Sequence, residues 1–395
     1  MNIVDIPSFI NKCVTKRQES IFLNDIKLNE NNLSNKIKNK RVLVIGGAGT
    51  IGSSFIKVLL KFKPKKLYVV DTNENGLTEL TRELRSNKNQ FIPSDYRTYP
   101  MNFGDNVFKK MFLNQEPFHI VANFAAHKHV RSEKDNYSIQ AMIENNVFNA
   151  KEFLDLLLIN KPEHFFCVST DKATNPVNVM GASKKLMEEL IMSYSNELKI
   201  TTARFANVAF SNGSLLSGYI ERFFKKQPLS CPSDVKRFFV SPEESGQICM
   251  LACLIGKSGD IFFPKLNKEN LVSFKSITED LFTFLDRKLI ECNSEDEAKS
   301  IPINNIKNSP YPVYFFKSDT SGEKLYEEFY SNDDKVDLKS HNSLGIIKNT
   351  TLISKKEINK KILKFKKLFN SNDNSKVKIV KVLKSYISDF HHIET

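Results

Sequence analysis

A glycine-rich turn, set between an apolar run and a helical pattern, constrains the fold of this chain most. The run RVLVI at 41–45 is rich in β-branched residues and is typical of a buried strand. It leads directly into GGAGTIG at 46–52, and the apolar residues of the following SSFIKVLLKF repeat at helical spacing. A chain that turns this sharply, approaches a pyrophosphate closely and starts a helix against the strand needs glycine at each step. The segment therefore predicts a phosphate-binding turn.

The next strand adds information about the bound group. The turn residues assigned to a nicotinamide dinucleotide are Gly46, Gly49, Thr50, Ile51 and Gly52. The helix that they open offers free N–H groups and a positive dipole end to phosphates. Asp71 ends the apolar run at 65–71, where a carboxylate accepts both hydroxyls of an adenosine ribose and repels a 2′-phosphate, which favours NAD over NADP. Asn102 and Asp105 either reach the adenine or cap a loop.

Strand and helix patterns alternate from residue 41 to about residue 210, as expected for an α/β fold with a Rossmann-like, doubly wound parallel sheet. Further strands are predicted at 119–126, 164–170 and 200–207, and helices at about 139–158, 182–196 and 243–256. The predicted units are a helical N-terminal extension (1–40), an NAD(P)-binding domain (41–210), a mixed substrate-binding lobe (211–345) and a helical C-terminal tail (346–395). The prediction allows parts of 211–345 to form further strands of the large sheet.

Charge and composition bear on partners. The chain has 58 Lys+Arg against 45 Asp+Glu, a net charge of +13. Much of the excess lies at 36–41 and 355–384, where aromatic residues follow helical spacing and form no stacking platform, so we expect no nucleic-acid partner. An anionic small-molecule substrate accounts for a milder basic bias.

The sequence predicts a cytoplasmic protein. No window of about eighteen residues is continuously apolar, so no membrane span is expected, and the N-terminus is too polar for a signal peptide. Six scattered cysteines form no CxxC pair and are interpreted as reduced thiols, with no metal site.

A polar cluster follows the strand at 164–170. The sequence Ser169-Thr170-Asp171-Lys172 stands at the carboxyl end of that strand, where ligands bind in open parallel sheets. A helix starting near Met180-Gly181-Ala182-Ser183-Lys184 follows, and a lysine there can bind the nicotinamide ribose. A helix-entry segment with solvated charges is the alternative. Behind a dinucleotide turn, the cluster favours a functional role.

Several motifs together resemble the extended short-chain dehydrogenase/reductase superfamily. They are GGAGTIG, AAHKHV (125–130), STDKATNP (169–176) and MGASK (180–184). The chain is most similar to nucleotide-sugar 4,6-dehydratases of bacterial polysaccharide and glycan biosynthesis, which act on UDP-N-acetylglucosamine. The runs RFANVAFSNGSLL (204–216), RFFVSPEESGQICMLA (237–252) and DIFFPKL (260–266) extend the similarity over about 41–345. Larger relatives carry a membrane-spanning N-terminal half, which we expect this chain to lack.

The resemblance implies roles for the polar cluster. The superfamily places Tyr-x-x-x-Lys where this chain has Met180 through Lys184, and methionine carries no ionisable group. The dehydratase branch with membrane-anchored members has the same methionine, and there an Asp-Lys pair does the proton work. By position, Asp171 helps to expel the C6 hydroxyl and Lys172 removes the C5 proton. Thr170 hydrogen-bonds the C4 oxygen, and Lys184 holds the nicotinamide ribose.

The resemblance also assigns residues around the cleft. Cofactor contacts fall to Ala125, Ala126 and Lys128. Lys128 and His129 either line the cofactor and sugar cleft or cap a loop. Asn207 and Arg237 are expected at the nucleotide or its diphosphate, since arginine binds phosphate in a bidentate manner.

The implied reaction sets requirements. Hydride leaves C4, water is eliminated across C5–C6 and the hydride returns to C6, so NAD stays tightly bound and is regenerated in each turnover. Lys172 must be neutral near pH 7, so we expect its pKa to fall from about 10.4 toward 7–8 through desolvation and nearby cations such as Lys184. The C4 hydroxyl proton goes through Thr170 to water, or Lys172 acts twice, and both routes stay open.

Two other functions fit the same motifs. One is a nucleotide-sugar 4-epimerase or dehydrogenase, and the other is a non-catalytic NAD-binding scaffold in which Met180 marks a dead site. The tail pattern of Ile358, Ile362, Phe365 and Leu368 predicts a helix that packs on the body or on a partner subunit. We expect a homo-oligomer, a dimer or larger, and exposed histidines at 391–392.

Overall fold

A central sheet of nine strands organises the chain in the computed structural model. The structure describes residues 5–130, 133, 135–304, 309–318, 324, 326–348, 353–371 and 374–393. The strands are β1 (Arg41–Ile45), β2 (Lys66–Asp71), β3 (Asp95–Pro100), β4 (Ile120–Asn123), β5 (His164–Val168), β6 (Ile200–Ala203), β7 (Asn207–Val208), β8 (Leu229–Pro232), β9 (Lys236–Val240), β10 (Asp260–Pro264), β11 (Leu271–Ser273), β12 (Lys288–Cys292), β13 (Pro310–Phe316), β14 (Val336–Asp337) and β15 (Leu344–Lys348).

The strand order of the large sheet is β14-β15-β10-β6-β5-β4-β1-β2-β3. The seven strands from β10 to β3 pair in parallel, and β15 and β14 continue the sheet in antiparallel register. The predicted α/β, Rossmann-like doubly wound fold is confirmed. The order reverses between β1 and β4, and the crevice outside their carboxyl ends is where such sheets bind ligands.

Helices cover both faces of this sheet because each carries an apolar stripe that must be buried. The helices are α1 (Ile6–Phe9), α2 (Leu23–Leu28), α3 (Glu30–Ile37), α4 (Thr50–Leu60), α5 (Glu74–Ser86), α6 (Asn106–Leu113), α7 (Asn136–Ile143), α8 (Ala150–Ile159), α9 (Val179–Met192), α10 (Leu215–Phe224), α11 (Pro242–Ile255), α12 (Phe274–Phe284), α13 (Glu295–Ser300), α14 (Lys355–Phe369) and α15 (Lys376–Lys384). Helices α3, α4, α5 and α11 share one core, and α6 to α9 share the other with α14 and α15.

Two three-stranded sheets form the smaller lobe, in the orders β11-β9-β7 and β12-β13-β8. Its own apolar core is built from α1, α10 and α12. Strands β10, β14 and β15 lie in the stretch assigned to the lobe but return to the large sheet. The N-terminal extension also contributes to the core of the lobe, because Phe9 of α1 is fully buried among lobe residues.

Sequence patterns predicted five strands of the large sheet and missed β3, β10, β14 and β15. Strand β3 reads DYRTYP, and its residues are half-buried or exposed because β3 is the outermost strand. An edge strand of this composition gives no continuous apolar run. Helix α9 begins at Val179, three residues before the predicted start, because Asn178 caps it by accepting the N–H of Gly181 at 2.7 Å.

The C-terminal tail packs on the body. Ile358, Ile362 and Phe365 of α14 are buried in the core shared with α9, as their helical spacing predicts. Within the described parts of the chain, no helix combines the length and the apolar character that a membrane crossing requires.

Candidate active site

The glycine turn after β1 is shaped by its backbone contacts. Gly46 has a φ of +74°, and a Cβ there would lie 2.6 Å from the backbone nitrogen of Ala125. A Cβ on Gly52 would lie 2.3 Å from the carbonyl oxygen of Gly46, so α4 packs directly on the turn. The first turn of α4 comprises Thr50, Ile51 and Gly52. At Gly49 the nearest atom to an added Cβ is 3.4 Å away, which leaves that side open. The turn thus forms a backbone cradle that fits a dinucleotide pyrophosphate.

Asp71 at the end of β2 faces this cradle. One carboxylate oxygen accepts the N–H of Ala48 at 2.9 Å, and the other accepts the N–H of Asn73 at 3.0 Å. The carboxylate is therefore held beside the turn, in the position expected for a ribose contact. Asn102 and Asp105 instead close a turn of their own, in which Asp105 accepts the N–H of Asn102 at 3.2 Å. An adenine contact for Asn102 stays a prediction.

The segment after β4 meets a loop of the lobe. Half-buried Ala125 and Ala126 lead to Lys128, which donates from Nζ to the carbonyl oxygen of Asn212 at 2.9 Å. The N–H of Asn212 donates to Oγ1 of Thr50 at 2.9 Å. The His129 ring lies on the neighbouring residue, 3.3 Å from where a Cβ on Gly213 would stand. This loop therefore connects the glycine turn with the segment after β4, and a contact of Lys128 or His129 with the cofactor or the sugar stays a prediction.

Three side chains that follow β5 form a compact hydrogen-bonded group. Thr170 donates from Oγ1 to Oδ1 of Asp171 at 2.8 Å, and Lys172 donates from Nζ to the same oxygen at 3.2 Å. Asp171 is buried, whereas the side chain of Lys172 remains 20% exposed. Gly181 lets α9 pack on this turn, because a Cβ there would lie 2.5 Å from the carbonyl oxygen of Lys172.

Glu327 joins this group from a distant part of the chain. Its Oε1 lies 3.7 Å from Nζ of Lys172, and its side chain is 5% exposed. We call Thr170, Asp171, Lys172 and Glu327 the proton cluster. Sequence analysis missed Glu327, and no pattern in its sequence surroundings marks it, because the alternation of burial from Tyr326 to Tyr330 that puts Glu327 on the face of Phe329 is a property of the fold.

The expected fall in the pKa of Lys172 is wrong. Burial lowers this pKa, but the carboxylates of Asp171 and Glu327 outweigh burial, and the net pKa lies above the ordinary value. Arg237 is the cation that opposes this rise. Lys184, expected in that role, is not among the groups that shift this pKa, and its buried Nζ donates to the carbonyl oxygen of Val168 at 3.0 Å. Burial lowers the pKa of Lys184 itself.

The remaining predicted residues take different places. Met180 is buried in the first turn of α9. Asn207 lies on β7, in register with Phe239 of β9. Arg237 of β9 is buried and donates from Nη1 to the carbonyl oxygen of Lys324 at 2.9 Å. Its charge acts on the proton cluster, and its contact with a nucleotide stays a prediction.

Arg204, which sequence analysis gave no role, connects the segments that build the proton cluster. It pairs with Glu188 through two contacts of 2.6 and 3.1 Å. From Nη1 it also donates to Oγ1 of Thr174 at 3.0 Å and to the carbonyl oxygen of Phe329 at 2.8 Å. Glu188 in turn accepts the hydroxyl of Ser169 at 2.8 Å. One buried guanidinium thus ties the turn after β5 to the segment that carries Glu327.

A short piece of the C-terminal tail pairs with the loop after the proton cluster. Within 391–393, the first and last N–H groups donate to the carbonyl oxygens of Pro176 at 3.1 Å and Val177 at 2.9 Å. The expected exposure of both tail histidines is wrong for His392, whose side chain is 5% exposed and places Nε2 3.7 Å from Oε1 of Glu133.

Comparisons with known proteins agree with this architecture. Residues 42–349 match the polysaccharide biosynthesis protein family. The uncharacterized membrane protein MJ1061 of Methanocaldococcus jannaschii is 33% identical over 89% of this chain and 97% of its own length. The probable polysaccharide biosynthesis protein EpsC of Bacillus subtilis is 27% identical over 81% of the chain, which spans about half (50%) of EpsC.

Other relatives carry enzyme names. An inverting UDP-N-acetylglucosamine 4,6-dehydratase of Campylobacter jejuni is 25% identical over 67% of the chain and 78% of its own length. UDP-glucose 4-epimerases also match, one from Rickettsia canadensis at 28% identity over 62% of the chain and 71% of its own length. Among solved structures, Pen from Bacillus thuringiensis superposes with a TM-score of 0.63 at 23% identity, covering 84% of this chain and 98% of Pen. That structural likeness shows the shared fold.

Proposed function

The chain belongs to the polysaccharide biosynthesis protein family, and from that premise we propose that it is a nucleotide-sugar 4,6-dehydratase. The proposed reaction converts UDP-N-acetylglucosamine to a UDP-4-keto-6-deoxy-N-acetylhexosamine for bacterial surface polysaccharide or glycan biosynthesis. The observation that carries it is the shared contact of Thr170 and Lys172 with one carboxylate oxygen of Asp171. Elimination needs a base at C5 and an acid at C6, and a lysine beside a carboxylic acid supplies both.

The glycine turn is the proposed cofactor site. Gly46, Gly49 and Gly52 would hold the pyrophosphate against the start of α4, and Asp71 would bind the ribose hydroxyls and favour NAD over NADP. Bound nicotinamide would supply a hydride acceptor for C4 and a hydride donor for C6. Because the same hydride is returned, the cofactor would remain bound through each turnover.

The proton cluster would handle the sugar. Thr170 would hydrogen-bond the C4 oxygen, Lys172 would remove the C5 proton and Asp171 would protonate the departing C6 hydroxyl. Asp171 is buried, which keeps water from competing for that proton. Met180 in the usual tyrosine position supports elimination over epimerisation, since it leaves the proton work to the Asp-Lys pair.

The cleft between sheet and lobe is the proposed substrate site. Lys128 and His129 contact the loop at Asn212–Gly213, and in the proposed enzyme they would meet the sugar or the cofactor. Asn207 and Arg237 would serve the nucleotide end, and Lys184 would serve the nicotinamide ribose. Nucleotide sugars are cytoplasmic metabolites, and we propose the same compartment for this enzyme, as a homo-oligomer.

Incubation of the purified protein with UDP-N-acetylglucosamine tests the proposal. We expect mass spectrometry to show loss of one water from the sugar and NMR to show a 6-deoxy-4-keto product. A product of unchanged mass would indicate an epimerase and overturn the proposal. Bound NAD without turnover would instead indicate a non-catalytic scaffold.

A further inference from the structure

The proton cluster stabilises the protonated form of Lys172, which cannot act as a base. Lys172 must take a proton from carbon, yet Asp171 and Glu327 lie 3.2 and 3.7 Å from its Nζ and stabilise the ammonium form. The pKa of Lys172 is raised accordingly. The proposed dehydratase reaction therefore needs a place for the spare proton of Lys172, close by and shielded from water.

Glu327 has the surroundings of a proton acceptor. It is buried, its Oε1 faces Lys172, and its Oε2 has no hydrogen-bond partner among the described residues. Burying a charged carboxylate whose oxygen accepts no hydrogen bond costs free energy, whereas the neutral carboxylic acid is tolerated at such a place. Burial raises the pKa of Glu327, and Asp171 raises it further. Lys172, Arg237 and Lys324 are the cations that oppose this rise.

We propose that Glu327 takes the spare proton of Lys172 when substrate covers the site, which leaves Lys172 a neutral amine. An N–H bond breaks and an O–H bond forms, so that ammonium and carboxylate become amine and carboxylic acid with no change in total charge. Substrate removes water from the exposed part of Lys172, and surroundings of low polarity favour the neutral pair. This role rests on the proposed function. Glu327 touches no reacting atom and is a positioning residue that acts through Lys172.

The protons balance if Glu327 keeps its proton throughout turnover. The C4 hydroxyl proton passes through Thr170 to neutral Lys172, and Lys172 hands it on to Asp171. Neutral again, Lys172 takes the C5 proton while Asp171 gives its proton to the departing C6 hydroxyl, which leaves as water. When the hydride returns to C6, Lys172 gives its proton back to C5. Each group ends as it began, and Lys172 acts twice.

The pH dependence of kcat in Glu327→Gln tests this inference. Glutamine keeps the shape but accepts no proton, so Lys172 and Asp171 can take both the C4 hydroxyl proton and the C5 proton only after Lys172 has lost its own proton to solvent. In the wild type, Lys172 and Glu327 hold one proton between them, and the fraction of enzyme with this proton on Glu327 does not depend on pH. We therefore expect kcat to be flat from about pH 7 to 9. In Glu327→Gln, kcat should be at least about tenfold lower at pH 7 and should rise about tenfold per pH unit.

Controls separate this role from a structural one. Glu328→Gln, an exposed neighbour, should keep the flat wild-type profile. Glu327→Asp retains a proton acceptor and should keep a flat profile of lower height. Bound NAD content and thermal melting report whether each variant folds, and should Glu327→Gln fail to fold, the profile of Glu327→Asp decides.

The outcomes are distinct. A flat profile in Glu327→Gln, lowered by one factor at every pH, would overturn the inference and leave the dehydratase proposal standing. A sloping profile in Glu327→Asp would overturn it equally. A wild type that shows no loss of water from substrate would overturn the proposed function, and the inference with it.

Discussion

The glycine turn and the proton cluster lie at the same edge of one sheet but are built in opposite ways. The turn is one continuous segment, 46–52, whose shape comes from backbone contacts such as that between Gly46 and Ala125. The proton cluster joins side chains more than 150 residues apart, at 170–172 and at 327. The first site is formed by the backbone of one short segment packed against its neighbouring strand exit, whereas the second depends on side chains brought together from distant parts of the chain. Substitutions should therefore separate the two sites.

The largest effect is expected from a substitution that disrupts the proton cluster and leaves the glycine turn intact. Lys172→Ala removes the proposed C5 base, and we expect kcat to fall by about 10²–10⁴-fold. The NAD content of the purified protein should equal that of the wild type, because the cradle lies elsewhere. Exposed Lys88→Ala serves as the control and should keep full activity. Retained turnover in Lys172→Ala would refute its role.

Arg204→Met should remove the buried ion pair that connects the segments of the proton cluster. It leaves Glu188 buried without its cation, so we expect the free energy of unfolding in urea to drop by about 3–5 kcal/mol at pH 7. The double variant Glu188→Met with Arg204→Met removes both charges and should recover most of that loss. If the double variant is as unstable as the single one, the ion pair is not the cause.

The same pair predicts a pH dependence of stability. Burial raises the pKa of Glu188, but Arg204, Lys185 and the hydroxyl of Ser169 together lower it more, and the net pKa in the folded protein lies below its ordinary value. A carboxyl group whose pKa is lowered in the folded protein stabilises the fold at pH values above its pKa in the unfolded chain, about 4.3. This stabilisation is lost as the pH falls through the pKa of the folded state. The stability gap between wild type and Arg204→Met should thus narrow below about pH 4, measured by urea unfolding across pH.

Two glycine substitutions sharpen the description of the turn. Gly46→Ala places a methyl group at positive φ and 2.6 Å from a backbone nitrogen, so stability should fall by about 1–3 kcal/mol together with NAD affinity. Gly49→Ala meets its nearest atom at 3.4 Å, so the melting temperature should hold while NAD affinity drops about tenfold. Calorimetric NAD titration and thermal melting measure the two quantities. Equal melting temperatures for both variants would contradict the described geometry.

The smallest expected effect is on cofactor choice. Asp71→Asn removes the charge that repels a 2′-phosphate, so the preference for NAD over NADP should shrink by about tenfold. The carbonyl oxygen of asparagine can still accept the N–H of Ala48, so the turn should keep this contact, while the hydrogen bond from the N–H of Asn73 to the second oxygen is lost. Chromatography of the released cofactors gives the ratio. An unchanged ratio would remove Asp71 from the selectivity argument.

Sequence reasoning succeeded where a site is local. The strand at 41–45 was predicted with its observed bounds, and the family inferred from the joint motifs is confirmed by the match over 42–349. It failed where distant charges meet. Asp171 and Glu327 together raise the pKa of Lys172, and nothing within thirty residues of Lys172 along the chain indicates the contact with Glu327. Strand β3 was missed for a related reason, since an edge position leaves its polar residues half exposed.

The pairing of 391–393 with the loop at 176–177 has a consequence for how the protein is made. The loop beside the proposed base is synthesised more than 200 residues before its pairing partner. At about 5–20 residues per second, a ribosome needs on the order of 10–40 s to add that stretch. During this interval the nascent chain already contains a complete glycine turn, but its neighbouring loop lacks two backbone partners. The segment of the proposed cofactor site is therefore synthesised in full before the loop beside the proposed base acquires these two partners.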